Sequence, residues 1–114
     1  MLREALLSAK SRCSYDSLFH KLFFTLVAAG FHHTKIREQL GEILLRENQA
    51  LQQSIAGMES PIEGVSAETW AIVWNALIDG LALQALLHKD FPVEKTYSEL
   101  EHMLQAVFHK GGEA

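Results

Sequence analysis

The sequence predicts an all-α fold, a five-helix antiparallel bundle-like domain. Two observations carry that expectation. Five segments repeat their apolar residues every three to four positions, and none alternates apolar with polar as a half-buried strand must. In addition, 114 residues with only two prolines and seven glycines leave little room for linkers. The segments therefore belong to one domain, residues 1–114, long enough to bury a core.

The first segment, LREALLSAKSR, places Leu2, Ala5, Leu6 and Ala9 on one face of a short helix. It begins almost at residue 1 with nothing before it to cap it, which suggests a chain cut from something longer. SYDSLFHKLFFTLVAAGF follows, with Ser14 as the expected N-cap and Asp16 in the first turn. Its main apolar face is Leu18, Phe19, Leu22, Phe23 and Leu26, with Phe24 opposite, and Gly30 is expected to end it in the left-handed conformation. The third helix is expected from about Thr34 to Ala56, stopped by Gly57. Its stripe is Leu40, Leu44, Leu51 and Ile55, while Arg37, Glu38, Arg46, Glu47, Gln49 and Gln53 face water.

GMESPIEGV is the one convincing loop, punctuated by Pro61 and Gly64. Ser66 is the expected N-cap of the fourth helix, and Val65 with Trp70 has the spacing of a hydrophobic staple. The fifth helix is expected to begin near Pro92 and to end at Gly111-Gly112. Val93, Tyr97, Leu100, Leu104 and Val107 repeat at four and three, a seam suited to left-handed helix packing.

The fourth helix is the unusual one, because WNALIDGLALQALLHKDF is apolar yet holds Asp79-Gly80 at its centre. At 100° per residue, Glu68, Asn75 and Asp79 make its only polar stripe, and Asp79 reads as a solvent-side or bundle-end partner of Asn75. A bulky face carries Trp70, Trp74, Ile78, Leu81 and Ala85. A slimmer one carries Val73, Ala76, Gly80, Leu83 and Leu87. A helix apolar nearly all round must be buried nearly all round, and a second chain is the natural cover. The expectation is a homodimer in which the last two helices of each chain form a four-helix bundle. Val73, Ala76, Gly80, Leu83, Leu87, Leu100 and Leu104 would meet the partner, with Gly80 permitting close approach. Alternatively, Gly80 faces a bulky residue of its own chain.

Ten Lys and Arg stand against fourteen Asp and Glu, a formal net charge of −4. A binder of the phosphate backbone normally carries a basic stripe, and none is present. Cys13 is the single cysteine, so no intramolecular disulfide can form and a reducing cytoplasm fits. It reads as a small half-buried side chain rather than a redox sensor. No apolar run approaches the roughly 18 residues that span a bilayer, so no membrane is expected.

WNALIDGLALQALLHKDFPVEKTYSELEHML resembles the last two helices of TetR-type bacterial transcriptional regulators. REQLGEILLRENQALQQSIAGMESPIEGVSAE is similar to the long helix and loop that precede them, so the resemblance covers roughly residues 14–108. It implies a C-terminal domain that binds a small, usually hydrophobic effector and dimerises through its last two helices. It also implies DNA binding by an N-terminal helix-turn-helix domain, which these residues do not contain.

Other chemistries find little support. His32 and His33 are adjacent and diverge, His102 and His109 make no closed site, and Glu99 with His102 is half of a di-iron motif. The histidines read as solvated. No nucleophile elbow, phosphate loop or zinc-protease motif is present, so neither an enzyme nor a cofactor is expected. Phe19, Phe23, Trp70 and Trp74 lie on core-directed faces of two helices. They read as plain core or as the lining of an apolar pocket, and the resemblance favours a pocket for a small hydrophobic or aromatic effector. A helical protein–protein interaction module without a small ligand is the alternative.

These 114 residues by themselves are expected to show no sequence-specific binding to duplex DNA. A gel-shift titration at ~150 mM salt checks this, and specific retardation at submicromolar protein would overturn it.

Overall fold

A computed structural model describes residues 2–55 and 62–113, with side chains from residue 4 to residue 107. Five helices follow one another: α1 (Leu2–Ser11), α2 (Leu18–Gly30), α3 (Thr34–Ile55), α4 (Ala67–Leu87) and α5 (Val93–Glu113). No strand occurs among the described residues, so the all-α expectation holds. The expected stop of α3 at Ala56 and Gly57, and the loop residue Pro61, lie outside the described residues. Gly64 has a φ of 85°, which L side chains rarely adopt, and turns the chain into α4.

Local chemistry explains the helix ends, with three corrections. Ser17, not Ser14, caps α2: its backbone is extended and its hydroxyl accepts the His20 N–H at 3.3 Å. Ser14 instead opens a turn, its carbonyl taking the Ser17 N–H. Gly30 is not left-handed. It is the last residue of α2, and Phe31, His32 and His33 continue with tight bonds to Ala28, Ala29 and Gly30. Arg37 steadies this corner by donating to the Phe31 carbonyl at 2.8 Å. The absent side chain matters for a different reason, since a Cβ at Gly30 would sit 3.4 Å from Leu40 Cδ1 and 3.5 Å from the Arg37 backbone. The third correction concerns α5, which runs through Gly111-Gly112 to Glu113. Ser66 caps α4 as expected, accepting from Thr69.

α4 stands between two groups of helices. On one side Leu6, Ala9 and Cys13 meet Ala85, Tyr97 and Leu100, so α1, α4 and α5 share a core. Trp74, Leu77, Ile78 and Leu81 pack against that core, as do Val93 and Leu104, so both the bulky face of α4 and the α5 seam point inward. Lys10 and Glu94 pair at its edge, an exposed contact worth little. On the other side α4 packs on α2 and α3. Ala71, Ala82 and Ala85 are the most deeply buried residues of α4, because only small side chains let helices on both sides come close.

Two expectations fail here for physical reasons. The face Leu18, Phe19, Leu22 and Leu26 is exposed, Leu18 to 67%, and α2 instead turns His20, Phe23, Phe24, Val27 and Gly30 inward. The helix has two apolar stripes, and its period cannot say which one meets the neighbours. Likewise, α4 is long and apolar enough by composition to cross a membrane, contrary to the run-length expectation. Its two acidic residues interrupt a run without lowering the window average enough to matter.

The described chain is thin. Its radius of gyration is 15.5 Å and its shortest extent 19 Å, where a compact domain of this length would have a radius of about 13 Å. Two helix layers enclose few large side chains: among the described residues only Leu6, His20, Tyr97 and Leu100 are buried.

Gly30 generates a testable expectation. Gly30→Ala should be close to neutral, while Gly30→Leu should destabilise by ~1–3 kcal/mol as its branches meet the Arg37 backbone. Urea unfolding of the two variants checks this; equal stability would show that the α2–α3 corner has slack.

Candidate functional site

Four ionisable groups, one from each of four places, lie within electrostatic reach of one another. His20 comes from α2, Glu47 from α3, Asp79 from α4 and Arg12 from the turn after α1. The arrangement begins with two hydrogen bonds. Asn75 donates to Asn48 at 2.8 Å, which fixes α4 against α3 in register. His20 Nδ1 lies 3.1 Å from both the Arg12 carbonyl and Ser17 Oγ, which ties α2 to the turn before it. Asp79 is one helical turn beyond Asn75, so the register that pairs the asparagines also turns its carboxylate inward.

This corrects two readings. Asp79 is half-buried rather than solvent-side, and Asn75 is partnered by Asn48. His20 is 3% exposed, so it is no solvated histidine. The side chains of His32, His33, His88 and His102 are exposed, as expected, and that of His109 lies outside the described residues.

Electrostatics follow from position. Burial raises the Asp79 carboxyl above its usual range, opposed by His20 and Arg12. Burial also raises Glu47, then the charge of Asp79 raises it further, against Arg12. Both carboxyls therefore hold a proton more tightly in the fold than in the unfolded chain. Their contribution to stability is complete below the ordinary carboxylate range and is lost as pH rises through the raised values. The fold tolerates these charges at a cost.

Aromatic rings wall the spot. Phe19 meets His20 edge-on at 5.0 Å, Phe24 stacks on His20 at 6.1 Å, and Phe23 meets Phe24 at 5.3 Å. The Arg12 guanidinium lies 5.6 Å from the Phe19 ring centre. Of the four expected ligand-binding residues, Phe19 and Phe23 thus belong to this cluster, Phe19 at its rim with 53% of its surface exposed. Trp74 packs towards the α1–α4–α5 core instead, and Trp70 is half-buried one turn before it. The sequence reading passed over His20, Glu47, Asn48 and Arg12. His20 had a signal, since it interrupts the apolar run LFHKLFF; Glu47 and Arg12 look like ordinary surface charges.

A second sealed pair plays a different part. Cys13 Sγ lies 3.6 Å from the Leu81 carbonyl, and Tyr97 Oη is buried with no nitrogen or oxygen partner. Burial pushes both groups up, so both stay neutral. A desolvated neutral thiol is inert, which agrees with a structural Cys13.

The slim face of α4 is uncovered. Val73, Ala76, Leu83 and Leu87 are exposed, Leu87 to 77%, with Ile72 beside them. A Cβ on Gly80 would meet nothing within 4 Å. The chain's own packing therefore does not require glycine there, and the alternative of a bulky neighbour in the same chain falls away. Leu100, by contrast, is 8% exposed inside the α1–α4–α5 core, and Leu104 packs against that core. Neither has much surface left for a partner.

No curated protein and no solved structure matches the chain. The family described as BetI-type transcriptional repressor, C-terminal, matches residues 4–109, which include the four ionisable residues and both faces of α4. That span is nearly the whole chain and agrees with the all-α architecture, so the chain belongs to the BetI-type transcriptional repressor C-terminal domain family, a TetR-type regulatory domain.

Proposed function

We propose that these residues form the effector-binding and dimerisation half of a TetR-type transcriptional repressor. A small apolar or aromatic effector binds between α2, α3 and α4, near Phe19 and Phe23, with Trp70 and the core-packed Trp74 of α4 at its far edge. DNA is bound by a helix-turn-helix domain outside these residues, and the protein works in the cytoplasm. One observation carries the reading: α4 lines the aromatic and charged cluster with one side and leaves its slim side uncovered. A ligand that moves α4 by a fraction of a turn would thereby change how two chains meet, which is the coupling a repressor needs.

The homodimer forms on Val73, Ala76, Gly80, Leu83 and Leu87. From α5, the exposed Met103 has more to give this contact than Leu100 or Leu104. A two-fold contact is self-complementary, so a glycine near the axis can meet its own copy. The exposed stripe Leu18, Leu22 and Leu26 on α2 favours a second reading, a helical interaction module that docks a partner protein without a small ligand.

Light scattering coupled to size exclusion should show a dimer at tens of micromolar. Gly80→Leu should shift it towards monomer, because a Cβ there meets nothing within the described chain while a close approach of a second chain would be overpacked. A folded monomer at that concentration defeats the dimer. An unchanged dimer with Gly80→Leu moves the interface to another face.

For the effector, thermal-shift screening of lipophilic and aromatic compounds should yield binders that raise Tm and perturb tryptophan fluorescence. Phe23→Ala should weaken them about tenfold or more. Binders indifferent to both Phe23→Ala and Trp74→Ala would put the pocket elsewhere. A domain that captures no compound but binds a helical protein segment on α2 would support the second reading.

A further inference from the structure

An apolar stripe lies open along α2. Leu18, Leu22 and Leu26 stand one turn apart with Phe19 beside them, all within about 100° of helix arc. Each is exposed over about half of its surface or more, and so is Phe31 in the turn that follows. Scattered apolar residues are normal on a surface, but a continuous row of large ones marks a contact face. The stripe is not core that missed its place. Rolling α2 to bury it would bring out Phe23, Val27 and His20, which face the other way, and His20 is held there by its bond to the Arg12 carbonyl.

Positive charge frames the stripe. At its start the Arg12 guanidinium lies 5.6 Å from the Phe19 ring centre. At its end Arg37 donates to the Phe31 carbonyl at 2.8 Å and is itself exposed. Lys21 and Lys35, between them in sequence, are exposed too. With histidines neutral, the stretch from Arg12 to Arg37 sets four basic residues against one acidic, Asp16, a net +3. The rest of the chain holds six basic and thirteen acidic residues, a net −7. The open apolar side of α2 thus coincides with the basic part of an acidic protein.

We propose that this stripe docks an acidic amphipathic helix of a partner protein. The three leucines form a ridge against which a helix with its own apolar residues one turn apart can pack. Carboxylates flanking that helix's apolar side meet Arg12 at one end, Arg37 at the other and Lys21 between them. The proposal takes up the protein-docking face of α2 and names its partner's chemistry; it requires neither the effector nor the α4 dimer. Charge argues against the other occupants. A two-fold pairing of α2 with its own copy would bring the Arg12 end of one chain to the Arg37 end of the other, +3 against +3. An anionic bilayer would attract the stripe but repel the −7 of the remainder. A nucleic acid offers phosphates and nothing for the leucines.

The test presents the full chain to a displayed library of amphipathic helices of about sixteen residues, long enough to span the stripe. Their apolar positions are fixed and their polar positions drawn equally from Glu, Lys, Gln and Ser. Helices enriched on the parent chain should carry net negative charge. As synthetic peptides they should bind about tenfold or more weakly to the double variant Leu18→Gln, Leu22→Gln, which keeps the charge and removes only exposed apolar surface. Lys21→Glu should weaken them severalfold, as should raising salt from ~50 to ~500 mM. Both variants should keep the parent's circular dichroism, so lost binding cannot be ascribed to unfolding. Enrichment of neutral or basic helices that still need the leucines overturns the acidic partner and leaves the docking face standing. No enriched helix that depends on the leucines removes the face itself. Two further results overturn the proposal: leucine-dependent binding to phosphatidylglycerol vesicles in place of the helices, or a lower oligomeric state of the leucine variant by light scattering. The effector reading survives each of these failures, because it does not use Leu18 or Leu22.

Discussion

α4 has more apolar surface than the other helices cover among the described residues, and much of the structure follows from that. Ala71, Ala82 and Ala85 form its buried spine, which lets helices approach from both sides without a large side chain between them. Trp74, Leu77, Ile78 and Leu81 then fill the space towards α1 and α5. The remaining slim side has no cover among the described residues, which are only 19 Å through their thinnest direction. A fold of this shape reaches ordinary burial when another surface is added.

Set into this apolar helix is a polar cluster that costs stability. Asp79 and Glu47 are both held above their ordinary carboxylate ranges, so the folded chain would lose little by giving up either charge. Asp79 is half-buried and Glu47 stands at the exposed side, with a single arginine to offset them. The asparagine pair one turn away is different in kind: Asn75 and Asn48 satisfy each other and fix the register of α3 on α4. Register makes this arrangement possible, and it gives an otherwise apolar α4 one polar side.

Much of the architecture was legible because it depends on local chemistry. Ser66 before an apolar run signals a cap, and the structure places one there. The four-three repeat from Val93 to Val107 signals a packing seam, and Tyr97 and Leu100 are buried along it. Ser14 and Ser17 show the limit, since both are competent caps three residues apart and the choice depends on where His20 is held. Gly30 shows another: a glycine at a helix end suggests the left-handed region, yet here it serves the close approach of α3.

The sequence by itself determined the helical class, the five segments, their wetter and drier sides and the two-sided character of α4, because those properties are written in periods of three and four residues. Only the tertiary structure decided which of two apolar stripes on α2 turned inward, and which charges met. A helical period fixes the angle of a side chain about its own axis, but not the direction in which the neighbouring helices lie. His20, Glu47, Asp79 and Arg12 are separated by up to 67 positions in the chain, and nothing in the spacing of one links it to the others. They come within electrostatic reach of one another because the Asn48–Asn75 bond and the packing of α2 on α4 set distances that no single helix encodes.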